Sequence, residues 1–340
     1  MTETYYIDMG PMGHVTEESC HMTIYRSHVV VSIEVEFAKI EGTKLGREVI
    51  TRLETWKVLP RGKVRNKPIL DLVYQTCLSV IQQLVPDTSL DDLSLEGFLH
   101  TPTYNLEIVG GNTDDDIHVV GAEKCLCLPG FNISPMPTTE LPEICSTVPQ
   151  FKARDVYISP LLDERNSVED IQCRVTTADG VAIYFKPRMD IREPGFAREP
   201  LILTRIHKIG LATRLRVPRL HGLVVSDEGT VIGILITMIT PSKLATTLRS
   251  PGLREREDMH KKWEDQLTFI VKELHAHDIV WGDVHPMNVI IDEDMNAWAI
   301  DFNGSNNAMF IDDENRETEK GDWQGMNTIF KTWLPDPEKR

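Results

Sequence analysis

Asp283, Asn288 and Asp301 are oxygen-bearing side chains whose spacing invites a chemical reading. Asn288 and Asp301 are separated by two short apolar runs, Val289-Ile290-Ile291 and Ala297-Trp298-Ala299-Ile300, with the polar insert 292–296 between them. Apolar runs around a short polar insert predict a β-hairpin with a five-residue loop. A hairpin of that length returns its second strand beside the start of the first. Asn288 and Asp301 are therefore expected side by side, with Asp283 on the loop that feeds them. Two such oxygen ligands beside a third carboxylate suit Mg²⁺, a hard cation held through few carboxylates and through substrate phosphates. A lone Asp or Asn in a loop usually caps a turn. The matched spacing of all three lifts this set above that use.

Other elements must carry the remaining polar groups to this loop. The turn Thr177-Ala178-Asp179-Gly180 leads into the strand Val181-Ala182-Ile183-Tyr184-Phe185-Lys186, since Asp-Gly between apolar runs signals a hairpin. Residues 196–209 have helical apolar spacing, with Glu199 in the first turn and Pro200 where a helix start tolerates it. A strand over 216–225, the turn Asp227-Glu228-Gly229 and a strand over 231–239 follow, ending at Met238, Ile239 and Thr240. Residues 254–278 form a long amphipathic helix, with Met259, Trp263, Leu267, Ile270, Val271 and Leu274 on one stripe. His275 and His277 at its end favour the helix dipole and are not expected to be ligands.

This order resembles the catalytic core of the protein-kinase-like superfamily, in which an Asp-x-x-x-x-Asn loop precedes an Asp-Phe-Gly metal site. The wording Gly282-Asp283-Val284-His285-Pro286-Met287-Asn288 is most similar to the aminoglycoside and choline phosphotransferase branch, and resembles short kinase-like proteins of filamentous fungi. The resemblance covers 155–335, a little over half of the chain. It implies an α+β class and a protein-kinase-like two-lobed fold with a shortened C-lobe, preceded by a small α+β N-terminal domain. It also implies an ATP- and Mg²⁺-dependent phosphotransferase moving the γ-phosphoryl group to a hydroxyl of a protein or small molecule. By the same resemblance Lys186 holds phosphates and Glu199, with Glu193 in reserve, orients Lys186. The backbone of Met238, Ile239 and Thr240 meets adenine, and Asn288 and Asp301 bind Mg²⁺. Asp283 aligns the acceptor hydroxyl and takes its proton, while Asp322 braces the catalytic loop, an N-cap being its plainer reading.

Four departures from that pattern matter. The loop 162–170, which in kinases is glycine-rich and covers the phosphates, has no glycine and four carboxylates. Trp281 stands where a His is usual, Asn303 stands where Gly is usual, and the sequence after Asp301 has room for one further helix. They keep open a catalytically weak or inactive pseudokinase-type scaffold, and a kinase-like enzyme of a fungal metabolite pathway that no longer phosphorylates.

Composition sets the outer bounds. With 340 residues and 41% hydrophobic content the chain can bury the cores of two domains. Its formal charge of −16 repels nucleic acid and anionic membrane, so neither is expected as a partner. The N-terminal residues lack a basic start and an apolar core, so no signal peptide is expected. The apolar run 231–239 is too short to span a bilayer. Six cysteines without a Cys-x-x-Cys pattern fit a reducing cytosol and a cytoplasmic protein.

The expected division is a small α+β N-terminal domain over 1–128, a linker over 129–150, a kinase-like N-lobe over 151–241 and the shortened C-lobe over 242–340. In the first domain, 27–37 alternates as a half-buried strand with 20–25 as its partner. Helices are expected over 46–58 and 68–84, and strands over 103–109 and 117–128. Pro129, Pro135, Pro137, Pro142 and Pro149 remove backbone donors from 129–150, which is therefore expected to be extended.

Overall fold

The computed structural model describes residues 9–26, 29–58, 63–84, 93–100, 102–110, 115–124, 133–159, 174–188, 195–304 and 307–335. The loop 162–170 and Glu193 lie outside the described residues. The class is mixed α and β. Two compact units are present, Met1–Asn132 with Arg154–Ala178, and Ile133–Ala153 with Asp179–Arg340. Among the described residues no helix is long and apolar enough to cross a membrane.

The first unit is built on a five-stranded sheet in the order β1 (Met9–Val15), β2 (Ser19–Arg26), β3 (Val29–Glu36), β4 (Pro102–Gly110) and β5 (Asp115–Lys124). Neighbours are antiparallel except β3 and β4, which are parallel. Parallel neighbours need a crossover. Helices α1 (Lys44–Val58), α2 (Lys63–Leu84) and α3 (Leu95–Leu99) lie in that connection. The alternation of β3 buries Val31, Ile33 and Val35, while α2 buries Val73, Cys77 and Ile81 in the same core. Helix α2 begins ahead of Pro68 and keeps the proline inside it. That placement sacrifices one helical hydrogen bond, which the packed stripe offsets.

Residues 133–153 belong to the second unit. The extended backbone expected for this proline-rich stretch is used for pairing. Strand β6 (Met136–Pro137) pairs with Thr230 and Val231, and β7 (Gln150–Lys152) pairs in parallel with 223–225. Met136 and Cys145 are buried there. Prolines cannot donate to a ladder, yet they suit edge positions and the starts of short turns, so the segment packs on the unit instead of tethering it. Strands β8 (Val156–Ile158) and β9 (Arg174–Thr177), expected in the N-lobe, group with the first unit.

The sheet of the second unit continues through β10 (Ala182–Pro187). Helix α4 (Arg198–Lys208) follows, then β11 (Leu220–Val225) and β12 (Thr230–Thr237). Within this unit β12 pairs with β11 on one side and with β10 on the other. Helix α5 (Pro251–Arg254) leads into α6 (Glu257–His275), whose Trp263, Leu267, Ile270, Val271 and Leu274 are buried. The hairpin of β13 (Val289–Ile291) and β14 (Ala297–Ala299) has the expected register, Val289 opposite Ala299. Helix α7 (Glu319–Asn327) runs into a π-helical turn, Thr328–Trp333. One hydrophobic core joins α4, α6, β11, β12, β13, β14 and α7.

Candidate active site

Strand β10 carries Lys186 to the site. Its Nζ lies 2.7 Å from Glu199 Oε2 and 2.9 Å from Asp301 Oδ1. Glu199 occupies the second position of α4 and is 1% exposed. Burial alone would push the Lys186 ammonium down, but the Glu199 and Asp301 carboxylates outweigh it and hold it above the ordinary lysine value. Burial pushes Glu199 up, against the pull of Lys186. Lys186 therefore stays charged across the physiological range.

Asp301 has φ of 61°, in the left-handed region that non-glycine residues seldom occupy. Such strain persists only where the surroundings enforce it, and it gathers at working sites. The hairpin does the enforcing. Ile300 N–H donates to Asn288 carbonyl at 3.0 Å, so the backbones of Asn288 and Asp301 adjoin.

The Asn288 amide nitrogen donates to both the Asp283 carbonyl and Asp283 Oδ2 at 3.0 Å. His285 is the other neighbour of that carboxylate. Its Nδ1 accepts from the Met287 N–H at 3.2 Å, which leaves Nε2 as the protonated nitrogen, 3.3 Å from Asp283 Oδ2. Asp283 Oδ1 is buried and has no hydrogen-bond partner among the described residues.

Two further side chains hold the loop that bears Asp283. Asp322, on α7, accepts the Trp281 N–H on Oδ2 and the Gly282 N–H on Oδ1, each at 2.8 Å. His275 Nε2 lies 2.8 Å from the same Oδ2. The N-cap of α7 is Thr318, which accepts from Gly321 N–H, so Asp322 is free of that duty. From the other side Arg198 donates to the carbonyls of Val280 at 2.8 Å and Trp281 at 3.1 Å, and also to that of Phe302. Gly282 has φ of 91°, and a Cβ there would lie 2.8 Å from Arg198 Nη2. Only glycine fits this turn. Trp281 is fully buried and donates Nε1–H to the Ile300 carbonyl at 2.9 Å, tying the loop to the hairpin.

Met238, Ile239 and Thr240 follow β12, beyond the pairing of Thr237 with Ile183. Lys186 pairs with Ile234 on the same two strands, so three residues, roughly 10 Å, separate it from Thr237. The Thr240 carbonyl accepts the Glu293 N–H at 3.2 Å and is thus committed within the protein.

The structure thus brings Lys186, Glu199 and Asp301 into contact, joins Asn288 to Asp283, and links the two sets through the hairpin backbone. The oxygen donors of Asn288 and Asp301 are hard ligands that fit Mg²⁺. Among the described residues no group of three His, Cys, Asp or Glu could hold a metal ion. A cation here would take its remaining ligands from phosphate and water, as Mg²⁺ commonly does. Sequence reasoning missed Arg198, His275 and His285 as site residues. The chain matches no family model and no curated protein sequence.

Proposed function

We propose that the second unit is a kinase-like, two-lobed catalytic unit that transfers the γ-phosphoryl group of ATP to a hydroxyl of a protein or small molecule. The observation that carries this reading is the Asp283 carboxylate. One oxygen is held by Asn288 and His285, and the other is buried without a partner. An unsatisfied buried acceptor costs roughly 1–3 kcal/mol, a cost explained where a ligand brings the missing donor. A hydroxyl is such a donor.

When bound, ATP supplies the phosphoryl group, with Mg²⁺ to neutralise the charge on its phosphates. Lys186 donates to phosphate oxygens, and Glu199 keeps its ammonium aimed. Asn288 and Asp301 would hold the cation from adjoining positions. Asp283 Oδ1 accepts the hydrogen bond of the acceptor hydroxyl, aligns its oxygen for attack and takes the proton. The backbone of Met238 and Ile239, just past the end of β12, is the candidate adenine contact. Positioning and charge neutralisation supply most of the catalysis in this chemistry, and Arg198 with Asp322 provides the positioning.

A second reading, a nucleotide-binding scaffold without turnover, rests on the glycine-free and acidic sequence 162–170. Measuring ATP consumption by wild type and Asp283→Asn tests the proposal. The variant is expected to bind nucleotide normally and to turn over at least about a hundredfold more slowly. Full turnover by Asp283→Asn would end the assignment, and nucleotide binding without turnover by wild type would favour the scaffold.

A further inference from the structure

The second unit carries a cleft of about 450 Å³ between the segment that follows α4 and the strands β12 and β14. Arg214, Arg216, Arg219, His221, Thr237 and Trp298 line it. Three exposed arginines fall within six residues here, against a chain net charge of −16. Their charge is only partly spent. Arg214 meets Glu273 at 3.0 Å. Arg216 forms no ion pair among the described residues, and Arg219 uses Nε on the Ala212 carbonyl at 3.1 Å, which leaves its terminal nitrogens for other acceptors.

The scaffold beneath these guanidiniums is fixed. Ala299 N–H donates to the Arg216 carbonyl at 3.0 Å, and Arg219 N–H donates to Thr237 Oγ1 at 3.0 Å. Trp298 donates Nε1–H to Asp292 Oδ2 at 2.8 Å, which holds the indole in place. His221 lies 3.3 Å from Thr237 Oγ1, and burial together with Arg219 keeps its pKa below the ordinary histidine value. At neutral pH the positive charge of the cleft thus comes from the arginines.

Three guanidiniums against the one carboxylate of Glu273 leave two positive charges facing the cleft. A dianion neutralises them, and the planar fork of arginine matches phosphate oxygens bidentately. Trp298 adds an aromatic wall, and the volume falls in the range of small-molecule sites, about 300–1,000 Å³. We propose that this cleft binds a small phosphomonoester with a planar ring, its phosphate on Arg216 and Arg219 and its ring against Trp298. The site is separate from the Lys186–Asp301 cluster and stands whether or not the unit transfers phosphoryl groups.

Calorimetric titration of the full chain with phenyl phosphate, inorganic phosphate and benzoate tests it. Phenyl phosphate is expected to bind at millimolar concentration or tighter, and more tightly than either simpler ion. Loss of one charge-assisted contact in Arg216→Glu should weaken it roughly tenfold or more. Arg216→Gln provides the same test should the charge reversal disturb folding, and Asp301→Ala should leave binding unchanged. No binding of phenyl phosphate by wild type, or equal binding by wild type and both Arg216 variants, overturns the proposal. Equal affinity for phenyl and inorganic phosphate overturns the ring subsite at Trp298.

Discussion

At the scale of residues, the site is a balance between buried charges and the groups that answer them. Glu199 is buried at the start of α4, and Lys186 is the cation that compensates it. Removing one member of a buried pair strands the other, at a cost of roughly 3–5 kcal/mol. Lys186→Met is therefore expected to lower stability by about that amount, as read by urea unfolding. The double variant Lys186→Met, Glu199→Met should recover most of the loss, because two apolar side chains of similar volume replace the pair. A single variant as stable as wild type would show that the pair carries no structural weight. Asp283 is the opposite case, since its buried Oδ1 remains unanswered within the described protein. These two imbalances, one compensated and one open, separate what Lys186 and Asp283 do.

At the scale of elements, Arg198 ties the start of α4 to the loop that bears Asp283 and to the segment after β14. Helix α4 therefore carries both Glu199 and the guanidinium that holds the loop. Gly282→Ala is expected to fail for two reasons, the positive φ and the approach of Arg198, with a stability loss of about 1–3 kcal/mol. Differential scanning calorimetry should show the lowered midpoint, and Arg198→Lys should lower it too, because an ammonium cannot fork across three carbonyls. Unchanged midpoints for both variants would mean that the loop does not depend on this clamp. How much of this was readable beforehand follows from distance along the chain. The hairpin that joins Asn288 to Asp301 was readable because its two apolar runs are local and its insert is short. Helices α4 and α6 were readable from their periodicity. The pairing of β6 and β7 was not, because their partners lie far along the chain and prolines read locally as linker. The three-carbonyl grip of Arg198 was hidden for the same reason: a carbonyl leaves no trace in residue identity.

At the scale of the whole molecule, two compact units differ in the chemistry that they bury. The first holds Cys20 and Cys77 in its core, and burial pushes both thiols up to about 12. A raised folded-state pKa contributes stability that is fully present below the unfolded thiol value of 9.0 and is lost as pH rises through about 12. Stability of the first unit should therefore decline across that alkaline window. Alkylation followed by peptide mapping is expected to leave Cys20 and Cys77 unmodified at neutral pH and to label both in denaturant. Rapid labelling of the folded protein would contradict their burial. The second unit buries the acidic and basic side chains of Glu199, Asp283, Asp322, Arg188 and Arg254, and it is the unit from which both proposed ligand sites are drawn.

The central claim, that Asp301, Asn288 and Lys186 converge on one magnesium nucleotide, is tested most directly by thermal unfolding of wild type and Asp301→Ala with and without MgATP. Binding to the native state at a hundredfold excess over Kd stabilises by about 2.7 kcal/mol. Wild type is expected to show a clear rise in Tm that depends on both Mg²⁺ and ATP, and Asp301→Ala to lose it. A rise of equal size in both proteins, or none in wild type at millimolar MgATP, would contradict the claim.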